Sequence, residues 1–479
     1  MHLGKTTLLV AALALAAAPL AAQAPDRSKP PAAGPVPALK LPPIQKRTLS
    51  NGLPVWVVEM HEVPVVDVSL IVSAGAAADP AGKFGLASYT AAMLDEGAGT
   101  RTALELADAI DALGASLTTS SSYDYSAVRL HALASKLDSA LPILADVALR
   151  PTFPEADMNR LRGERLTGLI QLRDNASQLA SAAFSRLLFG ATHRYGTGVA
   201  GTETTNKAMT VADLRQFHAA HYQPRNAHLL VVGDVTAAAV LPRLERAFGT
   251  WKNGAAQPAR APFGAVAAPK ARQIVLVDKP GAPQSQIRIG TIGVDRRTAD
   301  YHAIDVANTL LGGSFSSRLN MNLREDKGYS YGASSSFQMR AAAGPFFAGA
   351  GVQTDKTTES LVEFFKELDG MSKPTPAEEL TRARNLEALG FPGSFETTGS
   401  MAAQLIDLVV YGLPETFFNE YVPKIQAVTA ADVERIGKTF MPSSTMLVVV
   451  VGDLSKIEKP IRDANLGPVS TVPADDVLK

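Results

Sequence analysis

The sequence predicts an α+β fold of two homologous domains, each a mostly antiparallel sheet packed with helices, and three observations carry this prediction. The segment MTVADLRQFHAAHYQPRNAHLLVVGDV, which begins at Met209, returns without a gap as VTAADVERIGKTFMPSSTMLVVVVGDL from Val428, a shift of 219 residues that carries Asp234 onto Asp453. The same shift carries Glu59 onto Asp278 and Pro64 onto Pro283, so LPVWVVEMHEVPVVDVSL and RQIVLVDKPGAPQSQIRI are matching strand pairs. One offset at both ends marks a duplicated domain rather than a recurring strand. Between the copies, residues 255–271 (AAQPARAPFGAVAAPKA) form the Pro- and Ala-rich linker that a duplication requires.

In chain order, Lys5 and the apolar run 8–20 (LLVAALALAAAPL), ending in small residues, read as a secretory signal peptide over 1–24. Ala22-Gln23-Ala24 has the A-x-A form, but Pro25 makes the bond after Ala24 a poor one to cut, so cleavage after Ala22 is the alternative. The run is shorter than the roughly 20 residues that span a bilayer, and the mature chain is expected outside the cytoplasm, in the periplasm of a two-membrane cell. Residues 25–43 are an extended Pro/Ala-rich linker, followed by an N-terminal domain over 44–254 and a C-terminal domain over 272–479.

Within the first domain, LPVWVVEM and VVDVSLIVSAG read as strands, the second with Val66, Val68, Leu70 and Val72 alternating with other positions. Residues 84–100 read as a buried helix, since Leu86, Tyr89, Met93 and Leu94 recur at helical spacing and a glycine follows. Residues 103–114 form a second helix ended by Gly114, 121–133 alternate as a strand, and helices follow over 136–150 and 154–188. A helix over 211–221 and a strand over 228–235 close the unit.

Composition removes several function classes. Lys plus Arg equals Asp plus Glu at 46 each, which leaves no field to gather nucleic acid or an anionic membrane. The absence of cysteine excludes disulfides, thiolate zinc sites and a cysteine nucleophile.

The frame Gly85, Leu86, Ala87, Met93, Leu94, the paired V-V-G-D strands and LGGSFSSRLNMNLREDKGYSYG (311–332) together resemble the insulinase/pitrilysin family of zinc peptidases, the inverzincins. The likeness runs from about Thr48 to Asp453 and is nearest to the short bacterial branch and the mitochondrial processing peptidase subunits. Active members carry H-x-x-E-H inside this frame, with two histidines on zinc, a glutamate that polarises the bound water, and a second glutamate on a later helix. Here Ser88 and Ala92 stand in the histidine slots, Ala91 in that of the base, and Gly168 near the last ligand, with Glu164 the nearest carboxylate on that helix. Methyl groups neither ligate zinc nor take a proton, so the resemblance implies a zinc-free chain.

The family also uses an arginine and a tyrosine seven residues apart that reach the substrate beside the zinc of the other half. Arg324 and Tyr331 match that pattern, with Gly328 as the turn residue between them, whereas Tyr329 has the wrong spacing. A guanidinium fork and a phenol hold a peptide carbonyl and stabilise the oxyanion forming on it. The competing reading pairs Arg324 with Glu325 or Asp326 and packs Tyr331 in the core.

The resemblance thus implies a pseudo-peptidase subunit that pairs with an H-x-x-E-H homologue holding the zinc and acts on peptides; the alternative is a non-catalytic scaffold or peptide-binding protein. Other candidates are weaker. His218 and His221 form H-x-x-H but shift onto Gly437 and Phe440, which marks them as structural. Asp95 and Glu96 are adjacent, point about 100° apart and read as a solvated helix end. His61, His131, His193, His228 and His302 are isolated, and LGGSFSS lacks the G-K-[ST] ending of a phosphate loop.

Overall fold

Two six-stranded sheets, one in each half of the chain, organise the molecule. The computed structural model describes residues 34, 39–254, 263–264 and 266–478. The signal peptide with its cleavage points, most of the 25–43 linker, and residues 255–262 and 265 of the second linker lie outside the described residues.

The first half contributes β1 (Gln45–Thr48), β2 (Pro54–Glu59), β3 (Val65–Val72), the small hairpin of β4 (Gly97–Ala98) and β5 (Arg101–Thr102), then β6 (Ser116–Ser121), β7 (Ser126–Leu133) and β8 (Ala227–Gly233). The second contributes β9 (Gln273–Asp278), β10 (Gln284–Ile292), β11 (Ser330–Phe337), β12 (Pro345–Gln353), β13 (Leu447–Gly452) and β14 (Val469–Thr471). The sheet orders are β1-β2-β8-β3-β7-β6 and, read from the other edge, β14-β9-β13-β10-β12-β11. Pairing is antiparallel except β2 with β8, β9 with β13, and β9 with β14. The duplication holds at the level of register: Val55 lies opposite Leu229 and Ile274 opposite Val448, each moved by 219. Thr210 and Asp213 form a capping box at one helix start, and Thr429 and Asp432 repeat it 219 residues later.

Among the helices, α1 (Leu86–Ala92), α2 (Glu155–Asp174), α3 (Ala176–Phe189) and α4 (Val211–His221) belong to the first half. In the second half α5 (Tyr301–Asn308), α6 (Ala377–Gly390) and α7 (Thr398–Tyr411) hold the places of α1, α2 and α3, and the helix Ala430–Phe440 that of α4. Each half lends a helix to the other. Leu179, Phe184 and Leu188 of α3 pack on Val275, Val277, Val449 and Val451 of the second sheet. Met401, Leu405 and Leu408 of α7 pack on Val58, Ile71, Leu230 and Val232 of the first. Burying each such side chain is worth about 1.5–3 kcal/mol. This exchange covers both faces of the central strands, which is why they read as unbroken apolar runs. The two halves accordingly form one unit, Ala38–Lys479.

Three expectations need correction. The helix read over 84–100 is only the seven residues of α1, because Gly97 and Gly99 take positive φ and turn the chain into the β4–β5 hairpin. The strand read over 121–133 is the end of β6 and all of β7, joined by a turn in which Ser122 Oγ accepts from the amides of Asp124 and Tyr125 at 3.3 and 3.2 Å. The helix read over 154–188 breaks at Asn175, whose side-chain oxygen accepts from the amides of Ser177 and Gln178 and restarts the chain as α3.

Candidate functional site

Helix α1 is fixed from three sides. Asp79, 1% exposed, accepts from the amides of Gly85 and Ala87 at 2.7 Å each and so caps the helix start. Burial pushes this carboxyl up to about 7 against the opposing pull of those amides and of Arg194. Gly85 has φ 97°, and a Cβ there would lie 2.5 Å from the carbonyl oxygen of Ala200, so only glycine lets the 199–201 segment touch the helix start.

The four positions of the degenerate zinc site do not fit a metal ion. Ala91 is buried, Ala92 is half-buried, and Gly168 on α2 is exposed with open space around its Cα. The Ser88 hydroxyl is already engaged, donating to Val199 O at 2.6 Å and accepting from Arg165 Nη2 at 3.0 Å. Arg165, one turn before Gly168, fills the space beside Ser88. Its Nη2 also reaches Gly85 O (3.2 Å) and Ala200 O (2.9 Å), its Nε donates to Asn206 Oδ1 (2.7 Å), and its guanidinium lies 4.5 Å from the ring centre of Tyr89. Burial lowers its pKa to about 10, so it stays charged at neutral pH. A fixed cation thus ties α1, α2 and the 199–206 segment together where a dication would be repelled. Glu164 points elsewhere, exposed and paired with Arg160 at 2.8 Å.

Arg324 and Tyr331 are brought together on the surface. Arg324 sits in a wide helical turn, Met321–Asp326, and Gly328, with φ 66°, reverses the chain into β11. The β11–β12 register slips between Ser330 and Ala333, a bulge that turns Tyr331 outward, 85% exposed. The Arg324 guanidinium lies 4.9 Å from the Tyr331 ring and 4.8 Å from that of Phe315, 62% exposed. Gly312 allows this, since a Cβ there would lie 2.3 Å from the amide nitrogen of Ser335 on β11. Buried Asn320 ties both sides, donating to Phe315 O at 2.7 Å and accepting from the Ala333 amide at 3.3 Å. The local pairing read as an alternative is half present: Arg324 Nε meets Glu325 at 3.2 Å, but Tyr331 is far from the core. Among the described residues neither Nη of Arg324 meets an acceptor, so the fork is open to a carbonyl or carboxylate.

The remaining candidates are placed as packing or pairing groups. His218 Nε2 lies 2.9 Å from Ala148 O and its ring stacks on Tyr222, while burial against Phe217 holds His221 down at about 4. Asp95 and Glu96 are not the solvated helix end expected: both are half-buried, Glu96 pairs with Arg160 at 2.5 Å, and burial raises the pKa of Asp95. His61 and His131 pair with Asp234 and Asp67, His193 stacks on Phe189, and His228 and His302 meet Trp56 and Phe417. Tyr329 is half-buried behind the Arg324 turn. Sequence reasoning missed Arg165 and Phe315. The signal for Arg165 was a basic residue three positions before Gly168, on the same helical face.

Comparison with known proteins identifies the fold. The family model for insulinase (peptidase family M16) matches residues 55–193, and that for the peptidase M16 inactive domain matches 208–387. An uncharacterized zinc protease of Streptomyces coelicolor is 24% identical over 85% of this chain and 89% of its own. The crystal structure of a peptidase M16 inactive domain from Pseudomonas fluorescens superposes with a TM-score of 0.79 at 27% identity, over 86% of this chain and 98% of that one. A protease structure from Helicobacter pylori has the same fold, with a TM-score of 0.79 at 20% identity over 86% of this chain and 100% of that one.

Proposed function

The chain belongs to the insulinase family, peptidase family M16, and from that premise we propose that it is a zinc-free subunit that completes the active site of an H-x-x-E-H homologue. The supporting observation is the exposed Arg324–Tyr331 pair with its open guanidinium fork, in a chain whose own metal position is filled by Arg165. In the assembled peptidase Arg324 holds the carbonyl of a bound peptide, and the Tyr331 hydroxyl donates to the oxyanion as the bond is attacked. Zinc belongs to the partner, and no step of this chain's chemistry passes through a metal of its own. Export through the N-terminal signal places the pair outside the cytoplasm.

The test is reconstitution. The purified chain alone is expected to cleave no quenched-fluorescence peptide, and a mixture with a co-purifying H-x-x-E-H homologue to cleave it, with activity lost on Tyr331→Phe. Zinc-dependent cleavage by the rigorously pure single chain would falsify the proposal.

A second reading, a peptide-binding protein without part in hydrolysis, is favoured by one observation: Phe315 and Met321 stay exposed beside Arg324, an apolar surface that binds without reacting. It gains if Arg324→Ala and Tyr331→Phe weaken peptide binding but leave the partner's turnover unchanged.

A further inference from the structure

The shift of 219 leads to a second site. Where the first half has Leu86, Tyr89 and Gly168, the repeat has Asp305, Asn308 and Glu387, so chemistry-bearing residues stand at the position where the first copy is apolar or empty. Asp305 on α5 and Glu387 on α6 share the Tyr421 hydroxyl, which donates to Asp305 and lies 3.2 Å from Glu387 Oε2. Thr309 donates to the other oxygen of Glu387.

Asp305 also lines a cavity of about 360 Å³, together with Arg296, Asn308, Ser336, Asp407 and Tyr411. Arg296 is 7% exposed and lies between the rings of Tyr301 and Phe417, at 4.2 and 4.8 Å. Its Nε donates to Asp407 at 3.1 Å, but its Nη1 is buried and meets no acceptor among the described residues. A buried guanidinium donor without a partner costs about 1–3 kcal/mol or more, so it points to an acceptor that the described residues do not supply. Two carboxylates, Asp407 and Asp305, line the same cavity as this guanidinium, and burial pushes both up.

That charge pattern selects the ligand. A dication is repelled by Arg296, and a simple anion by the two carboxylates. A simple amine leaves Arg296 Nη1 unpaired. A group bearing one anion and one cation a few ångströms apart satisfies all three. The volume lies near the lower end of ligand cavities, about 300–1,000 Å³, which suits a single small molecule rather than a segment of chain. We infer that this cavity binds a free α-amino acid, its carboxylate on Arg296 and its ammonium on Asp305 and Asp407. The inference stands apart from the Arg324–Tyr331 proposal and does not need the chain to take part in hydrolysis.

Ile304 and Met339 also line the cavity, so their methyl resonances report its occupancy in the intact chain. Glycine, L-alanine and L-leucine, titrated to about 50 mM, are the probes, with acetate and ethylamine as the half-ligands. At least one amino acid is expected to shift both methyls saturably, and each half-ligand to bind about tenfold more weakly or worse. Arg296→Met removes a buried ion pair and risks the fold, so the decisive variants are Asp305→Asn, which keeps an acceptor for Tyr421, and Ser336→Leu, which fills the space. Asp305→Asn is expected to weaken binding about tenfold and Ser336→Leu to abolish it. The inference is overturned if no amino acid moves the two methyls, if acetate or ethylamine binds as tightly as the amino acids, or if Asp305→Asn binds unchanged.

Discussion

The guanidinium of Arg324 lies 4.9 Å from the ring of Tyr331, on a bulged strand that leaves the phenol 85% exposed. Removing that hydroxyl touches no packing. Tyr331→Phe should leave the melting temperature within about 1 °C of the parent, since exposed substitutions cost little. The same change should lower kcat of the assembled peptidase about 100-fold, the usual cost of one oxyanion donor. Calorimetry on the chain and turnover on the mixture separate the two effects.

Phe315 holds the other face of the same guanidinium, at 4.8 Å. Phe315→Ala should free Arg324 to reorient, with a loss of about 0.5–1 kcal/mol seen as a two- to fivefold rise in KM. Phe315→Tyr should restore the parent value; an unchanged KM in Phe315→Ala would mean that the ring does not position Arg324.

Arg165 makes four hydrogen bonds to α1 and the 199–206 segment. Arg165→Met leaves Asn206 Oδ1 and the Ser88 oxygen without their donor, while Ala200 O keeps Asn206 Nδ2 and Gly85 O keeps the Tyr89 amide, and should cost about 2–4 kcal/mol, read as a lower denaturation midpoint. The guanidinium also bars the metal. The combination Ser88→His, Ala91→Glu, Ala92→His and Gly168→Glu, with Arg165 kept, should bind no stoichiometric zinc by elemental analysis of the purified chain.

Asp79 gives a pH dependence with a definite sign. Its carboxyl sits near the usual carboxylate value in the unfolded chain and at about 7 in the folded one, because burial disfavours the ion. Folding therefore favours the protonated form: the contribution is complete below about pH 4 and is lost as pH rises toward 7, a change on the order of a few kcal/mol. Denaturation series at pH 4.5, 5.5 and 7, roughly spanning this window, should show a smaller fall in stability for Asp79→Asn than for the parent. An identical slope in the two proteins would remove Asp79 as the cause.

Asp124 joins the halves. It accepts from Tyr195 at 3.4 Å in its own half, and from Tyr411 and the Ala341 amide, both at 3.0 Å, in the other. Asp124→Ala should cost about 2–4 kcal/mol and raise the rate of limited proteolysis near the 255–271 linker.

The fold was legible where local pattern and long-range packing agree. The continuous apolar runs of β8 and β13 announced strands, and the constant offset announced the duplication. The offset could not show that α3 and α7 trade sheets, because the partner of an apolar face is set by the path of the chain and not by its periodicity. The break at Asn175 escaped because one side-chain cap outweighed a good helical run on either side. At the site, Arg324 and Tyr331 were visible through the family resemblance, but the bulge that exposes Tyr331 depends on the neighbouring strand. Arg165 looked like any charge on a polar helix, since only the fold carries Ala200 and Asn206 to it. Glu387 lay within reach of the 219-residue offset applied to Gly168.

Arg165 also decides how the first half depends on its surroundings. A metal bound at this position would have to be captured from the environment, whereas a guanidinium is delivered with the polypeptide itself. The half around α1 therefore reaches its final form whether zinc is abundant or scarce. In the proposed assembly, a chelator should strip zinc from the partner and leave this subunit folded.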